Sequence, residues 1–203
     1  MGAALPHCAV NGARLHYLEQ GQGPESVVFA HGLLMSGRMF AALQNRYRCV
    51  TFDFRGQGES EVTRDGYDME TLAEDAAALI AAMRAAPCHF VGLSMGGFIG
   101  LRLAIRRPEL LRTSTILSGS AEAEPWENVP KYRLLATTAR WLGLRLVAGR
   151  VTKILFGRTF LEDPARAEDR QRWRDRLLRL DRVGTYRAAL ASSGAEGWRT
   201  SSP

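Results

Sequence analysis

The sequence has no histidine beyond His89, although it continues to Pro203. It also has no run of about 18 uninterrupted apolar residues, the length that a membrane-spanning helix needs. The first residues lack the basic and then apolar pattern of a secretory signal, and Pro6 stands where a myristoylation signal has Ser or Thr. We therefore expect a cytoplasmic, unanchored protein with no membrane partner.

Cysteine is scarce. Cys8, Cys49 and Cys88 form an odd-numbered set without the spacing of a metal site or a disulfide framework. Cys49 and Cys88 lie beside or within apolar, strand-like runs, which predicts buried, reduced thiols. The sequence gives no reason to expect a metal ion.

The net charge of +6 is unevenly distributed. Residues 1–120 hold 11 basic and 11 acidic side chains, and residues 121–203 hold 16 basic and 10 acidic ones. Such a bias fits either a surface for nucleic acid or an anionic membrane, or the solvated face of helices. We favour the solvated face and expect no nucleic-acid partner.

The first 120 residues alternate between strand and helix patterns, which indicates parallel crossover units. Asn11-Gly12 between two alternating runs predicts an opening hairpin, and Asp68 can cap a helix that ends before Pro87. The predicted fold is α/β, with a mostly parallel sheet of about six strands and flanking helices. The strands are expected within 9–20, 26–30, 48–52, 88–93 and 110–117, and the helices at 69–83 and 96–107.

The pattern changes at Ala121, after which no strand signal appears. Two long helices are predicted, over 131–157 and 165–186. The last residues are small, polar and without periodicity, so they are expected to fray. The predicted domain plan is a core over 1–120, a helical region over 121–190 and a tail over 191–203.

The segment Gly92-Leu93-Ser94-Met95-Gly96 has the GxSxG pattern of a nucleophile elbow. An apolar strand precedes it and an amphipathic helix follows, which is the context that this motif requires. Side chains at Gly92 and Gly96 would collide where strand and helix approach, and Gly97 adds a third small residue. Ser94 is therefore the candidate nucleophile.

The amides near Ser94 are candidates for stabilising an oxyanion. The following helix places a partial positive charge at the Met95 amide. The loop after the third strand reads His31-Gly32-Leu33, and the Leu33 amide is the second candidate donor, with Gly32 allowing close approach. His31 could act as a base, but its position at the end of a strand favours a structural role.

The eight residues 53–60 (DFRGQGES) contain a GxG pattern. The third glycine of a dinucleotide fingerprint and the Gly-Lys-Ser/Thr of a P-loop are both missing from this segment. We therefore predict a hydrogen-bonded turn beside the site and no cofactor.

The sequence resembles the α/β-hydrolase family in three ordered motifs: HG after strand three, DxRGxGxS after strand four and GxSxG after strand five. The resemblance is strongest to the esterase, enol-lactonase and perhydrolase branches of that family. The resemblance implies a serine hydrolase that acts on a small ester or lactone through an acyl-enzyme at Ser94. It also implies that residues from about 122 to 186 form a helical cap.

The same resemblance implies an acid and then a histidine after the cap, on two further strands, and neither follows Ser94 in that pattern. Glu122 and Glu124 are weaker candidates for the acid, and Asp53 precedes the serine. We expect a hydrolase core that lacks its last two strands and is weakly active or inactive. Its open sheet edge would favour self-association or a completing chain. The alternative is a non-catalytic fragment that binds a partner or ligand through the cap or that edge.

Overall fold

The computed structural model describes residues 5–40, 46–120 and 127–193. Six strands and seven α-helices lie within those ranges. The strands are β1 (His7–Val10), β2 (Ala13–Gln20), β3 (Ser26–Ala30), β4 (Arg48–Phe52), β5 (Cys88–Leu93) and β6 (Leu111–Leu117). The helices are α1 (Met69–Ala82), α2 (Met95–Arg106), α3 (Val129–Leu142), α4 (Leu144–Leu155), α5 (Arg158–Glu162), α6 (Ala167–Arg179) and α7 (Arg182–Ser192).

The strands form one sheet in the order β1-β2-β4-β3-β5-β6. The β1–β2 and β2–β4 pairs are antiparallel, and the other three pairs are parallel. The prediction of a mostly parallel sheet of about six strands is confirmed. In the described part of the chain, β6 has a single strand neighbour, and most of its side chains are exposed.

The opening hairpin also matches its prediction. Val10 pairs with Ala13, which leaves Asn11 and Gly12 as a two-residue turn. Their φ angles are 46° and 73°. A type I′ turn needs positive φ at both central positions, and Asn-Gly is the dipeptide that best supplies it.

The main core lies on the face of the sheet that carries α1 and α2. Val28, Val50 and Phe90 are fully buried there, in one apolar cluster with residues of both helices. Helix α1 begins at Asp68, whose side chain accepts a hydrogen bond from the Thr71 amide, as predicted. A smaller apolar cluster around Phe29 occupies the opposite face. The sheet is therefore covered on both sides at its centre, as parallel strands require.

The prediction of two long, unbroken helices after residue 120 was wrong, because each region forms two shorter helices. The first is broken at Gly143, which has a φ of 102° and separates α3 from α4. The second is broken after α6, because the Asp181 side chain accepts from the amides of Val183 and Gly184 and so starts α7. Apolar periodicity continued across both breaks, which is why the sequence pattern did not show them.

Three further predictions concern the cysteines, the residues after 120 and membrane-spanning helices. Cys49 and Cys88 are buried cysteines outside any disulfide of the described residues, as predicted, and Cys8 is half-buried and likewise not in a disulfide. Helix α7 includes the first two residues of the predicted tail, and residues 194–203 of that tail lie outside the described residues. Glu122 and Glu124 also lie outside them. None of the described helices is both long and apolar enough to cross a membrane.

Candidate functional site

Ser94 occupies a strained turn between β5 and α2. Its φ of 50° and ψ of −110° are unfavourable for a residue with a Cβ, and such conformations cost about 1–3 kcal/mol. The backbone N–H of Ser94 donates to the Leu117 carbonyl oxygen at 2.8 Å, which holds the turn against β6. The turn places the serine at the carboxyl end of the parallel strands, where α/β sheets form their ligand sites.

Glycines make this sharp turn sterically feasible. A Cβ on Gly92 would overlap the Gly96 carbonyl oxygen, and a Cβ on Gly96 would overlap that of Ala30. At Gly97 a Cβ would lie 3.0 Å from the Ile116 side chain. These contacts agree with the steric role that the sequence predicts for the three glycines.

Gly32 differs from these glycines. A Cβ there would lie 3.6 Å from the Ser94 Cβ and 3.5 Å from the Met35 sulfur, which are ordinary contact distances. The protein itself therefore leaves room for a Cβ at this position, and the predicted close approach of an oxyanion at Gly32 stays a prediction. Any larger side chain on residue 32 would instead extend beside Ser94.

The backbone amides of Leu33 and Met95 have no acceptor among the described residues. Their neighbours are engaged, because the Leu34 amide donates to the Gln57 side-chain oxygen at 3.0 Å and the Met35 amide donates to the Gly32 carbonyl oxygen. Gln57 thus fixes the loop that carries Leu33, a role that sequence reasoning missed. The only signal for it was its position in the turn over residues 53–60.

His31 has both ring nitrogens occupied. Nδ1 donates to the Gly32 carbonyl oxygen at 2.7 Å, and Nε2 accepts from the Phe54 amide at 3.2 Å. Complete burial lowers the pKa of His31, and this outweighs the opposing effects of the Asp53 charge and the Gly32 hydrogen bond. The ring is therefore neutral and has no free lone pair to take a proton, which favours the structural role.

Asp53 is likewise occupied. It accepts from His16 Nδ1 at 2.9 Å and from the amides of Gly37 and Glu59 at 2.7 and 2.9 Å. Burial alone would raise the Asp53 pKa, but the hydrogen bond from His16, the electrostatic interaction with the nearby His31 ring and the two amides together lower it. The carboxylate is thus ionised and committed to organising the turn that follows β4.

The remaining histidines are also placed away from Ser94. His16 is bound to Asp53, and His7 contacts the carbonyl oxygens of Leu5 and Glu59. His89 lies at the amino end of β5, the end opposite Ser94, beside Thr113 and Glu25. In the described ranges no histidine lines the cavity at Ser94.

A cavity of about 430 Å³ lies between Ser94 and the helices α3, α4 and α7. Leu33, Ser94 and Met95 form part of its floor, while Ala136, Ala139, Val147, Val151 and Thr185 belong to its helical side. No Asp, Glu, Lys or Arg is among the described lining residues. The Thr185 hydroxyl oxygen is buried and has no hydrogen-bond partner in the described structure. The cavity is therefore uncharged and largely apolar, and the polar side chains among its described lining residues all carry hydroxyl groups (Ser94, Ser118, Tyr132, Thr185, Ser192 and Ser193).

Among the described residues, no group of three or more His, Cys, Asp or Glu side chains is arranged to hold a metal ion. The chemistry that the described site supports is thus that of a serine hydroxyl beside two unoccupied amides.

The chain is similar to known proteins. A sequence model described as the alpha/beta hydrolase family matches residues 27–203. The 3-oxoadipate enol-lactonase 1 of Acinetobacter baylyi is 34% identical over 110 residues, which are 51% of this chain and 41% of that protein. The uncharacterized hydrolase YraK of Bacillus subtilis is 37% identical over 106 residues, or 49% of this chain and 39% of that protein. The matched segment thus spans about two fifths of each of these relatives.

Solved structures match over more of the chain. The enol-lactonase of Burkholderia xenovorans LB400 superimposes with a TM-score of 0.83 at 28% identity, covering 93% of this chain and 73% of that one. An esterase of Thermogutta terrifontis gives 0.82 at 24% identity, with coverages of 94% and 72%, and so supports the fold alone. Because the family model matches most of the sequence and the enol-lactonase superimposes over most of the chain, the chain belongs to the alpha/beta hydrolase family.

Proposed function

We propose that this chain carries the nucleophile and oxyanion site of a serine hydrolase that acts on a carboxylic ester or lactone through an acyl-enzyme at Ser94. The strained turn at Ser94 supports this proposal most directly, because such strain persists only where the surrounding structure enforces it and is concentrated at functional sites. The enol-lactonase and other hydrolases among its relatives support the same reaction class.

In this proposal the Ser94 Oγ attacks the carbonyl carbon of the substrate. The carbonyl oxygen becomes an oxyanion that accepts from the Leu33 and Met95 amides, at the positive end of the α2 dipole. Collapse of the tetrahedral intermediate breaks the bond to the alcohol oxygen, which takes up a proton from water, and leaves an ester on Ser94. Water then hydrolyses that ester and returns the serine.

The proton of the serine hydroxyl needs an acceptor. His31 cannot take it, because its Nδ1 is a donor and its Nε2 lone pair is used by Phe54. Loss of a triad histidine typically costs about 10⁶ in turnover and leaves about 10³–10⁴ over the reaction in water. We therefore propose that the 203 residues alone hydrolyse esters slowly, with water as the proton acceptor.

The cavity indicates which substrates fit. An ionised group buried without a partner is strongly unfavourable, and the described lining offers no charged side chain to pair with one. The proposed substrate is thus uncharged, with an apolar acyl or alcohol group packed against α3 and α4. The helices α3–α7 act as the cap of the site.

The occupied histidines favour a second candidate, a non-catalytic hydrolase fragment that binds a ligand in the cavity or a partner at β6. This candidate predicts no hydrolysis of p-nitrophenyl acetate beyond that of Ser94→Ala. Turnover that depends on Ser94 would exclude it.

A fluorophosphonate probe tests the main proposal. Intact-mass analysis should show one adduct on the wild type and none on Ser94→Ala. Ser192→Ala is the matched control, because Ser192 also lines the cavity but its hydroxyl donates to the Ala189 carbonyl oxygen. Equal labelling of wild type and Ser94→Ala would refute the assignment of the nucleophile.

A further inference from the structure

The outer surface of α3 and α4 exposes large apolar side chains. Leu134, Trp141, Leu142 and Leu146 are between 64% and 71% exposed. The last three flank Gly143, where the two helices join, so they lie close together in the chain. Single exposed apolar residues are ordinary on soluble proteins, whereas a group of this size marks an interaction surface.

The charge around these residues has one sign. Residues 128–161 contain seven basic side chains and no acidic one. The guanidinium of Arg140 lies 4.9 Å from the centre of the Trp141 ring, and Arg158 lies near Glu162. The other five, Lys131, Arg133, Arg145, Arg150 and Lys153, form no ion pair with any described carboxylate.

Helix α6 shows the contrasting case. Arg166 and Arg172 on that part of the chain share the Asp169 carboxylate, so one of their two charges is compensated locally. The excess of basic residues seen in the sequence therefore lies mainly on α3 and α4, the two helices that also expose apolar groups. This combination differs from the simple solvated face that the sequence pattern favoured.

We propose that the outer face of α3 and α4 docks on an anionic phospholipid bilayer. Lys and Arg side chains there meet lipid phosphates, while Trp141 and the leucines enter the boundary between headgroups and acyl chains. Two copies of this face would oppose cation to cation, which disfavours a homodimer. Nucleic-acid phosphates would satisfy the cations but leave the exposed leucines in water.

Docking would place the site next to the bilayer. The inner faces of the same two helices carry Ala136, Ala139, Val147 and Val151, which line the cavity above Ser94. The helices therefore separate the cavity from the docking face by a single layer. The docking itself does not depend on the chemistry at Ser94.

Co-sedimentation with vesicles tests the proposal. The wild type should pellet with phosphatidylcholine vesicles that contain phosphatidylglycerol, less so at high salt, and should stay in solution with phosphatidylcholine alone. The double variant Arg145→Gln/Arg150→Gln should partition about 25-fold more weakly, because each cation contributes about fivefold to the partition coefficient. Trp141→Ser should partition on the order of tenfold more weakly, because the ring no longer enters the lipid.

The matched control is Arg174→Gln/Arg176→Gln, which removes the same charge from exposed positions of α6. This variant should bind vesicles at least half as well as the wild type. Equal losses in both double variants would overturn the proposal, since net charge alone would then explain binding. The proposal would also be overturned if the protein bound polyanionic RNA equally well with and without Trp141→Ser and did not bind vesicles. A dimer that Trp141→Ser abolishes, again without vesicle binding, would overturn it too. Failure of the wild type to pellet with anionic vesicles would also overturn it.

Discussion

The Ser94 amide donates to the Leu117 carbonyl oxygen at 2.8 Å, which joins the strained residue to the last residue of β6. In the described chain β6 has one strand neighbour, so the geometry of Ser94 depends on the docking of an edge strand. The side chain of Ile116 also packs against Gly97 and Gly100 of α2. Strand β6 thus holds both sides of the serine turn.

Gly96→Ala should destabilise the fold by about 2–4 kcal/mol, because the added methyl group would overlap the Ala30 carbonyl oxygen in the central strand β3. Urea unfolding monitored by circular dichroism measures the change. Gly149→Ala is the matched control, since its Cβ would meet nothing within 4 Å inside α4. That variant should gain about 0.5–1 kcal/mol from helix propensity. Equal effects at the two sites would contradict the close contact at Gly96.

The lowered pKa of His31 predicts how stability changes with pH. Because the folded-state pKa lies below the ordinary value of about 6.5, the unfolded chain binds more protons as pH falls through that value. This contribution to the free energy of unfolding is complete above pH of about 6.5 and is lost towards the lower folded-state pKa. In His31→Asn the free energy of unfolding should fall less steeply between about pH 7 and 5 than in the wild type.

Urea titrations at a series of pH values check this prediction. Asn retains a donor near the position of Nδ1 but no titrating group, so the overall loss of stability and the change in slope are separable. His89→Asn, at the amino end of β5, controls for the loss of stability that comes from replacing a histidine side chain by Asn. An unchanged slope in His31→Asn would show that another group carries the pH dependence.

The buried pair of Arg55 and Asp75 links the turn after β4 to α1. Two donors of the guanidinium meet the two carboxylate oxygens at 2.7 and 2.6 Å, and both side chains are almost fully buried. Asp75→Asn removes the countercharge and should cost about 3–5 kcal/mol, because the guanidinium stays buried. The exposed pair of Arg158 and Glu162 is the comparison, and Glu162→Gln should cost less than about 0.5 kcal/mol. Similar losses in thermal or urea unfolding for both variants would contradict the role of burial.

The fold and the serine turn could be predicted from sequence because each depends on local chemistry. Asn11-Gly12 and Asp68 specify a turn and a helix start through their own backbone and side-chain bonds. The break at Gly143 could not be read in this way, since glycine also occurs inside helices and the apolar period continued through it. Gln57 was missed because its bond to the Leu34 amide joins loops that are distant in sequence. The exposure of Trp141 likewise depends on which helix face packs inward, which composition does not determine.

Thr185 offers a test of the cavity, since its buried hydroxyl has no partner in the described structure. Thr185→Val keeps the shape and removes an unsatisfied polar group, so we expect a gain of about 1 kcal/mol in the free energy of unfolding. Thr152→Val is the matched control, because the Thr152 hydroxyl donates to the Ala148 carbonyl oxygen at 2.7 Å and its removal should cost about 0.5–1 kcal/mol. Urea unfolding of both variants gives the comparison. A loss in Thr185→Val as large as that in Thr152→Val would mean that the hydroxyl is hydrogen-bonded in solution, and the side of the cavity formed by α7 would then be polar.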